Sequence, residues 1–128
     1  MQNESQDARF APERAIALAQ AIFYLLTGVW PLVSMRSFEA VTGPKTDRWL
    51  VKTAGVLITV IGAALLRGAT RAAVTPELRL LAVGSALGLA GIDVVYVGRR
   101  RIARVYLLDA LAEVALVLAW ALAARRRS

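Results

Sequence analysis

Histidine and cysteine are both absent from the 128 residues. With them go disulfides, thiolate nucleophiles, imidazole bases and the usual ligands of zinc, haem and iron–sulfur clusters. Acid–base work must therefore fall to Asp, Glu, Lys or Tyr, and neither a metal nor a cofactor is expected. Acids are scarce too, with nine Asp and Glu against sixteen Lys and Arg and a net charge of +7. In a soluble domain that excess would point to nucleic acid. Here the basic residues gather at the ends of apolar runs, where they anchor helices and meet anionic headgroups. Membrane lipid is the expected partner and nucleic acid is not.

What the chain has instead is apolar length. Hydrophobic residues make up 58% of it and the mean hydropathy is +0.56, beyond the roughly 45–50% apolar content of ordinary soluble domains. Four runs are long enough to cross the ~30 Å hydrocarbon layer at ~1.5 Å per residue. They predict an all-α, four-span membrane bundle. A polar tail over 1–12 precedes a single transmembrane domain over 13–124, and a basic tail over 125–128 follows it. The N-terminal segment has no basic stretch ahead of its first apolar run, so that run reads as a retained span rather than a signal peptide.

The first span is expected from Glu13 to Val33, opened by Pro12-Glu13, which suit a first helical turn. Gln20, Tyr24 and Thr27 share one of its faces, either bonding neighbouring helices or lining a cavity. The connection SMRSFEAVTGPKTDR predicts a short amphipathic helix capped by Ser34, stopped at Gly43-Pro44, with Met35, Phe38 and Val41 on one side. Arg36 is close enough to Glu39 to pair, and Thr46-Asp47 would cap the next span. That second span, Trp49 to Leu66, carries Lys52, Gly55, Thr59 and Gly62 on one stripe. Lys52 either reaches the headgroups or pairs with Asp109.

Thr75-Pro76-Glu77 reads as cap, first residue and acidic first turn of a third span covering Leu78 to Val97. Gly84, Gly88, Gly91 and Gly98 fall within about 80° of one another at ~100° per residue, a ridge suited to close helix contact. Asp93 lies opposite. Either the glycines pack inside the bundle and Asp93 escapes to the interface beside Arg99, Arg100 and Arg101, or Asp93 turns inward and Gly84, Gly88 and Gly91 meet a second copy as a homodimer. A short turn over Gly98 to Arg101 would make the last two spans a hairpin, bringing Asp93 near the level of Asp109.

The fourth span, Ile102 to Ala124, holds the stretch on which any function must rest. In RVYLLDALAEVALVLAW, Tyr106, Asp109, Glu113 and Trp120 lie within roughly 60° on one helix face. Acids at membrane depth are costly and should face a protein interior or a watery cavity. A carboxyl taken out of water, with a second one close by, can hold and exchange a proton. The expected site is therefore Glu113 as principal proton and cation group, with Asp109 and Asp93 beside it. Tyr24, Tyr106 and Trp120 would line it, with Gln20 and Lys52 nearby. Its expected ligand is a small cationic or amphipathic molecule, bound or moved with proton coupling. Two rivals stand beside this: a hydrophobic-ligand-binding bundle or isomerase without transport, and a partner subunit whose carboxyls only fix helix register. No motif names a reaction.

Basic residues divide eight against eight between the two membrane sides, so charge bias sets no orientation. An even number of spans places both termini on one side. Four short spans with an embedded acid and balanced charge resemble the small multidrug resistance transporters in general plan. That family's working glutamate lies in the first span, where this chain offers Gln20, Tyr24 and Thr27. The four spans with inward carboxyls and tryptophans are also similar to the sterol-isomerase and sigma-2-receptor family, whose isomerases rely on a histidine that is absent here. The segment SFEAVTGPKTDRWLV resembles the first loop of small uncharacterised bacterial four-span proteins. That resemblance implies a bacterial inner membrane and no particular activity.

Overall fold

The computed structural model describes residues 2–43, 48–71, 73–99 and 104–127, with side chains at the two ends described from Phe10 and up to Arg125. Five helices account for them: α1 (Gln2–Val33), α2 (Met35–Thr42), α3 (Arg48–Ala69), α4 (Pro76–Gly98) and α5 (Tyr106–Arg127). Within the long helices, Phe10–Val33, Arg48–Ala69, Pro76–Gly98 and Tyr106–Arg125 are each long and apolar enough to cross a membrane. Only 17–33% of each of these segments is buried inside the bundle. Leu, Ile and Val therefore cover the outside as well as the inside, a pattern matched to lipid rather than water. The all-α four-span architecture is as the sequence predicts.

Two predicted boundaries move. α1 starts at Gln2 and carries Pro12 inside it, so the helix begins ahead of the Glu13 start expected for the first span and residues 2–12 are helical. Glu4, Gln6, Ala8 and Arg9 are strong helix formers, and they carry the helix past a proline that costs it one backbone hydrogen bond. At the other end, α4 stops at Gly98 and α5 starts at Tyr106, not Ile102. Arg99, which follows the last residue of α4, suits a helix C-terminus, and Arg104 opposes the positive end of a new helix. Starting at Tyr106 places Asp109 in the first turn of α5, where an acid is favoured.

The remaining local predictions hold where they can be seen. Ser34 accepts from the Ser37 amide, and Gly43, at φ 96°, closes α2 by donating its N–H to Glu39 O. A positive φ at that position is readily taken up only by glycine. Pro44 and the Thr46-Asp47 cap lie outside the described residues. Thr75 Oγ1 accepts from the Leu78 amide, with Pro76 and Glu77 following as predicted. Glu39, however, does not pair with Arg36. It takes a two-pronged contact from Arg48 at 2.7 and 3.2 Å, tying α2 to the start of α3.

The helices pack as two close pairs, α1 on α3 and α4 on α5, joined mainly through α1 and α5. Small residues set the first pair. A Cβ on Gly55 would lie 2.7 Å from Gly28 O, and one on Gly28 would lie 2.8 Å from Gly55 O. The backbones approach too closely for any side chain there. α4 meets α3 where Leu78 packs on Gly68. A dry cluster of Ala17, Ala21, Tyr24, Leu65, Val74, Ala82 and Trp120 fills the half of the bundle that carries the termini. The other half, under α2, is where the carboxyls gather.

Candidate functional site

Each inward polar group follows from helical spacing. On α1, Gln20 and Tyr24 are one turn apart and both buried. On α4, Ala82, Ala86, Ala90 and Asp93 form the buried stripe, so the choice left open by the glycines is decided: Asp93 faces inward. Gly84, Gly88, Gly91 and Gly98 face outward, with nothing within 4 Å of an added Cβ. On α5, Ala110, Glu113, Trp120 and Ala123 are buried, with Tyr106 and Asp109 half-buried above them.

Glu113 is 0% exposed and its Oε1 accepts a 2.6 Å hydrogen bond from Tyr24 OH. One turn deeper, Gln20 spends both ends of its amide. Its Nε2 donates to Ala82 O and its Oε1 accepts from Trp120 Nε1, each at 2.9 Å. This tie links α1, α4 and α5 through both polar atoms of the Gln20 amide. Glu113 and Asp93 differ. Glu113 Oε2 and Asp93 Oδ2 are buried and meet no donor among the described residues. Asp93, 5% exposed, lies within hydrogen-bonding reach of Asp109, and Asp109 in turn is within electrostatic reach of Glu113.

These three acids share one wall of a crevice of about 550 Å³. Phe23, Thr27 and Trp30 of α1, Phe38, Val41 and Thr42 of α2, and Val51, Ala54 and Ile58 of α3 supply walls that are otherwise almost wholly apolar. Thr27 does not aim its hydroxyl into the space, because Oγ1 bonds Phe23 O at 2.9 Å within its own helix. Trp30 Nε1 donates to Ser37 Oγ at 2.7 Å and its ring meets Phe38 edge-on, so α2 is held across one end of the crevice. Glu113 sits about 10 Å along α5 from Tyr106 at ~1.5 Å per residue, at the inner limit of the space. Beyond it the tie and the dry cluster close the bundle.

Comparison with protein-family models, with curated proteins and with solved structures finds no match. The site is thus read from its own geometry.

Of the residues expected here, Glu113, Asp109, Asp93 and Tyr106 line the crevice together. Tyr24, Gln20 and Trp120 do not. They lie behind Glu113, where their polar atoms are already satisfied, and they close the floor instead of lining the space. Lys52 is exposed on the outer side of α3, and no ion pair joins it to Asp109 among the described residues. Its long stem lets it reach outward from the first turn of the span, which leaves the acids without a lysine. Asp93 likewise meets no arginine among the described residues. No cluster of three or more ligand-type side chains there is arranged around a metal position.

Phe23, Trp30, Phe38 and Ile58 belong to the crevice and were not expected at the site from the sequence. Nor was a second polar pair at the terminus end. Glu13, 1% exposed, receives a fork from Arg79 at 2.5 and 3.2 Å, with the guanidinium 5.8 Å from the Phe10 ring centre. An acid inside α1 and an arginine in the first turn of α4 gave no signal, since only the approach of the two helices brings them together.

Proposed function

We propose that this chain is a small integral membrane protein, of the bacterial inner membrane, with both termini on one side. It binds a small cationic or amphipathic molecule in the crevice under α2 and moves it in exchange for protons. One observation carries the reading. Three carboxyls converge on a single wall of an otherwise apolar crevice, and no lysine or arginine among the described residues neutralises them. A site of about 550 Å³ falls within the roughly 300–1,000 Å³ of small-molecule pockets. Ionisable groups at membrane depth that line a cavity are the usual mark of proton and cation pathways. A cation reaching Asp93 and Asp109 meets two carboxyls at once, and Glu113 offers a second acidic station deeper in. The outward ridge of Gly84, Gly88 and Gly91 serves a homodimer in the same reading.

The test is flux in proteoliposomes under an imposed pH gradient, with a radiolabelled lipophilic amine as cargo and protein-free liposomes as blank. Wild-type protein is expected to show saturable, gradient-driven uptake, and Glu113→Gln is expected to lose most of it. Undiminished uptake by Glu113→Gln removes Glu113 from the role. Saturable binding with no flux in the wild type selects a ligand-binding bundle over a transporter.

A further inference from the structure

We infer that the ligand of this crevice is a protonated primary or secondary amine on an apolar body, and not a quaternary cation. The inference rests on the binding reading above and narrows it by hydrogen-bond chemistry. Charge alone would be satisfied by any cation. What two of its carboxyl oxygens lack is a donor. Glu113 Oε1 already has one, the Tyr24 hydroxyl, and both ends of Gln20 are engaged. Glu113 Oε2 and Asp93 Oδ2 have none, although both are buried. A buried acceptor left without a donor is costly, and an ionised carboxyl more so. An ammonium carries N–H groups that can serve such oxygens, whereas a quaternary nitrogen presents only methyl or methylene groups.

The apolar body follows from the opposite wall. Val51, Ala54 and Ile58 of α3 face the acids across the crevice and offer no polar side chain. Three further lining residues, Leu50, Ile92 and Leu108, are each more than half exposed on the outer surface. In a bilayer that surface meets acyl chains, so the crevice is continuous with the lipid phase at the level where an amphiphile's head and tail part. An amine partitioned into the membrane reaches the acids past these three side chains with its tail still in an apolar medium.

The experiment compares tritiated dodecylamine with tritiated dodecyltrimethylammonium. Both are bound to the wild-type protein in nanodiscs of a single phosphatidylcholine, with protein-free nanodiscs as blank. The two probes share chain and charge and differ in N–H donors. The amine is expected to bind at least about tenfold tighter, the scale of one or more charge-assisted hydrogen bonds. Glu113→Gln and Asp93→Asn are each expected to narrow that gap, and ethylamine is expected not to displace dodecylamine. Equal affinity of the two probes overturns the donor requirement but leaves acid-directed cation binding standing. Displacement by ethylamine overturns the apolar body. Saturable binding of neither probe overturns both this inference and the reading beneath it. Because the deciding comparison uses the wild-type protein, it does not depend on whether a variant folds.

Discussion

Replacing Tyr24 by Phe removes one oxygen from the centre of the bundle and leaves the ring in place. In the structure that oxygen donates at 2.6 Å to Glu113 Oε1, and both side chains are essentially inaccessible. After the change neither oxygen of Glu113 has a donor. Leaving one buried acceptor unsatisfied costs about 1–3 kcal/mol in proteins generally. Hydrogen bonds between membrane helices, measured against a membrane-embedded unfolded state, average nearer ~0.6 and reach ~1.7 kcal/mol. The membrane scale is the relevant one, but this bond sits at its upper end because its acceptor is a carboxyl with no alternative donor. The expected loss is about 1–2 kcal/mol. Unfolding by sodium dodecyl sulfate in mixed micelles measures it, with Thr27→Val as control. Thr27 bonds within its own helix, so its change is expected to be near neutral. A double-mutant cycle with Glu113→Gln isolates the pair. Additive effects of Tyr24→Phe and Glu113→Gln, with no coupling between them, would refute the bond and with it the closed floor of the crevice.

Other outcomes follow from the same packing. Breaking a buried ion pair from one side costs about 3–5 kcal/mol in full burial, so Glu13→Gln, with Arg79 partly exposed, is expected to lower stability by about 2–3 kcal/mol. Changing Arg79 to Gln as well should recover part of that loss in the same titration. Gly28→Leu is expected to abolish the folded protein, because the added atoms meet α3 backbone below 3 Å. Gly88→Leu meets nothing in the monomer and is expected to fold normally and to weaken self-association. Dimer fraction by cross-linking or analytical ultracentrifugation in detergent checks the second, and an unaltered dimer fraction removes the ridge from the interface.

How far the sequence reached depends on what kind of signal each residue carried. Helical periodicity is local, so the inward face of α5 could be read from Tyr106, Asp109, Glu113 and Trp120 alone, and α2 could be read from Ser34 and Gly43. The glycines of α4 were legible as a ridge but not as to which way it faced. That depended on Asp93 winning the interior, a contest between two faces of one helix that only the neighbouring helices decide. The α1–α3 contact was half visible, since Gly55 and Gly62 form a stripe while Gly28 stands alone in its helix. The crevice was not visible at all. Its walls are ordinary Phe, Trp, Val and Ile, and what makes them a site is that α3 does not close onto α4 and α5 there.

Whether the acids serve a ligand or only lock helix register turns on how completely their hydrogen bonds are used. A register lock works by matching every buried donor with an acceptor, because a half-satisfied polar network is worse than an apolar core. Gln20 behaves in that way: its amide nitrogen and oxygen each hold a partner, on α4 and α5 respectively. If Glu113 and Asp93 had the same duty, glutamine and asparagine would do it better, supplying donors of their own without a charge to desolvate. The chain instead keeps two acids whose spare oxygens lack donors, adds Asp109 beside them, and concentrates all three on the wall of its one half that is not filled. Both spare carboxyl oxygens belong to residues that line the crevice, while the two polar atoms of Gln20, away from it, are each matched. A seam that only fixed register would pair those two oxygens as it pairs Gln20, whereas a binding site leaves them for its ligand.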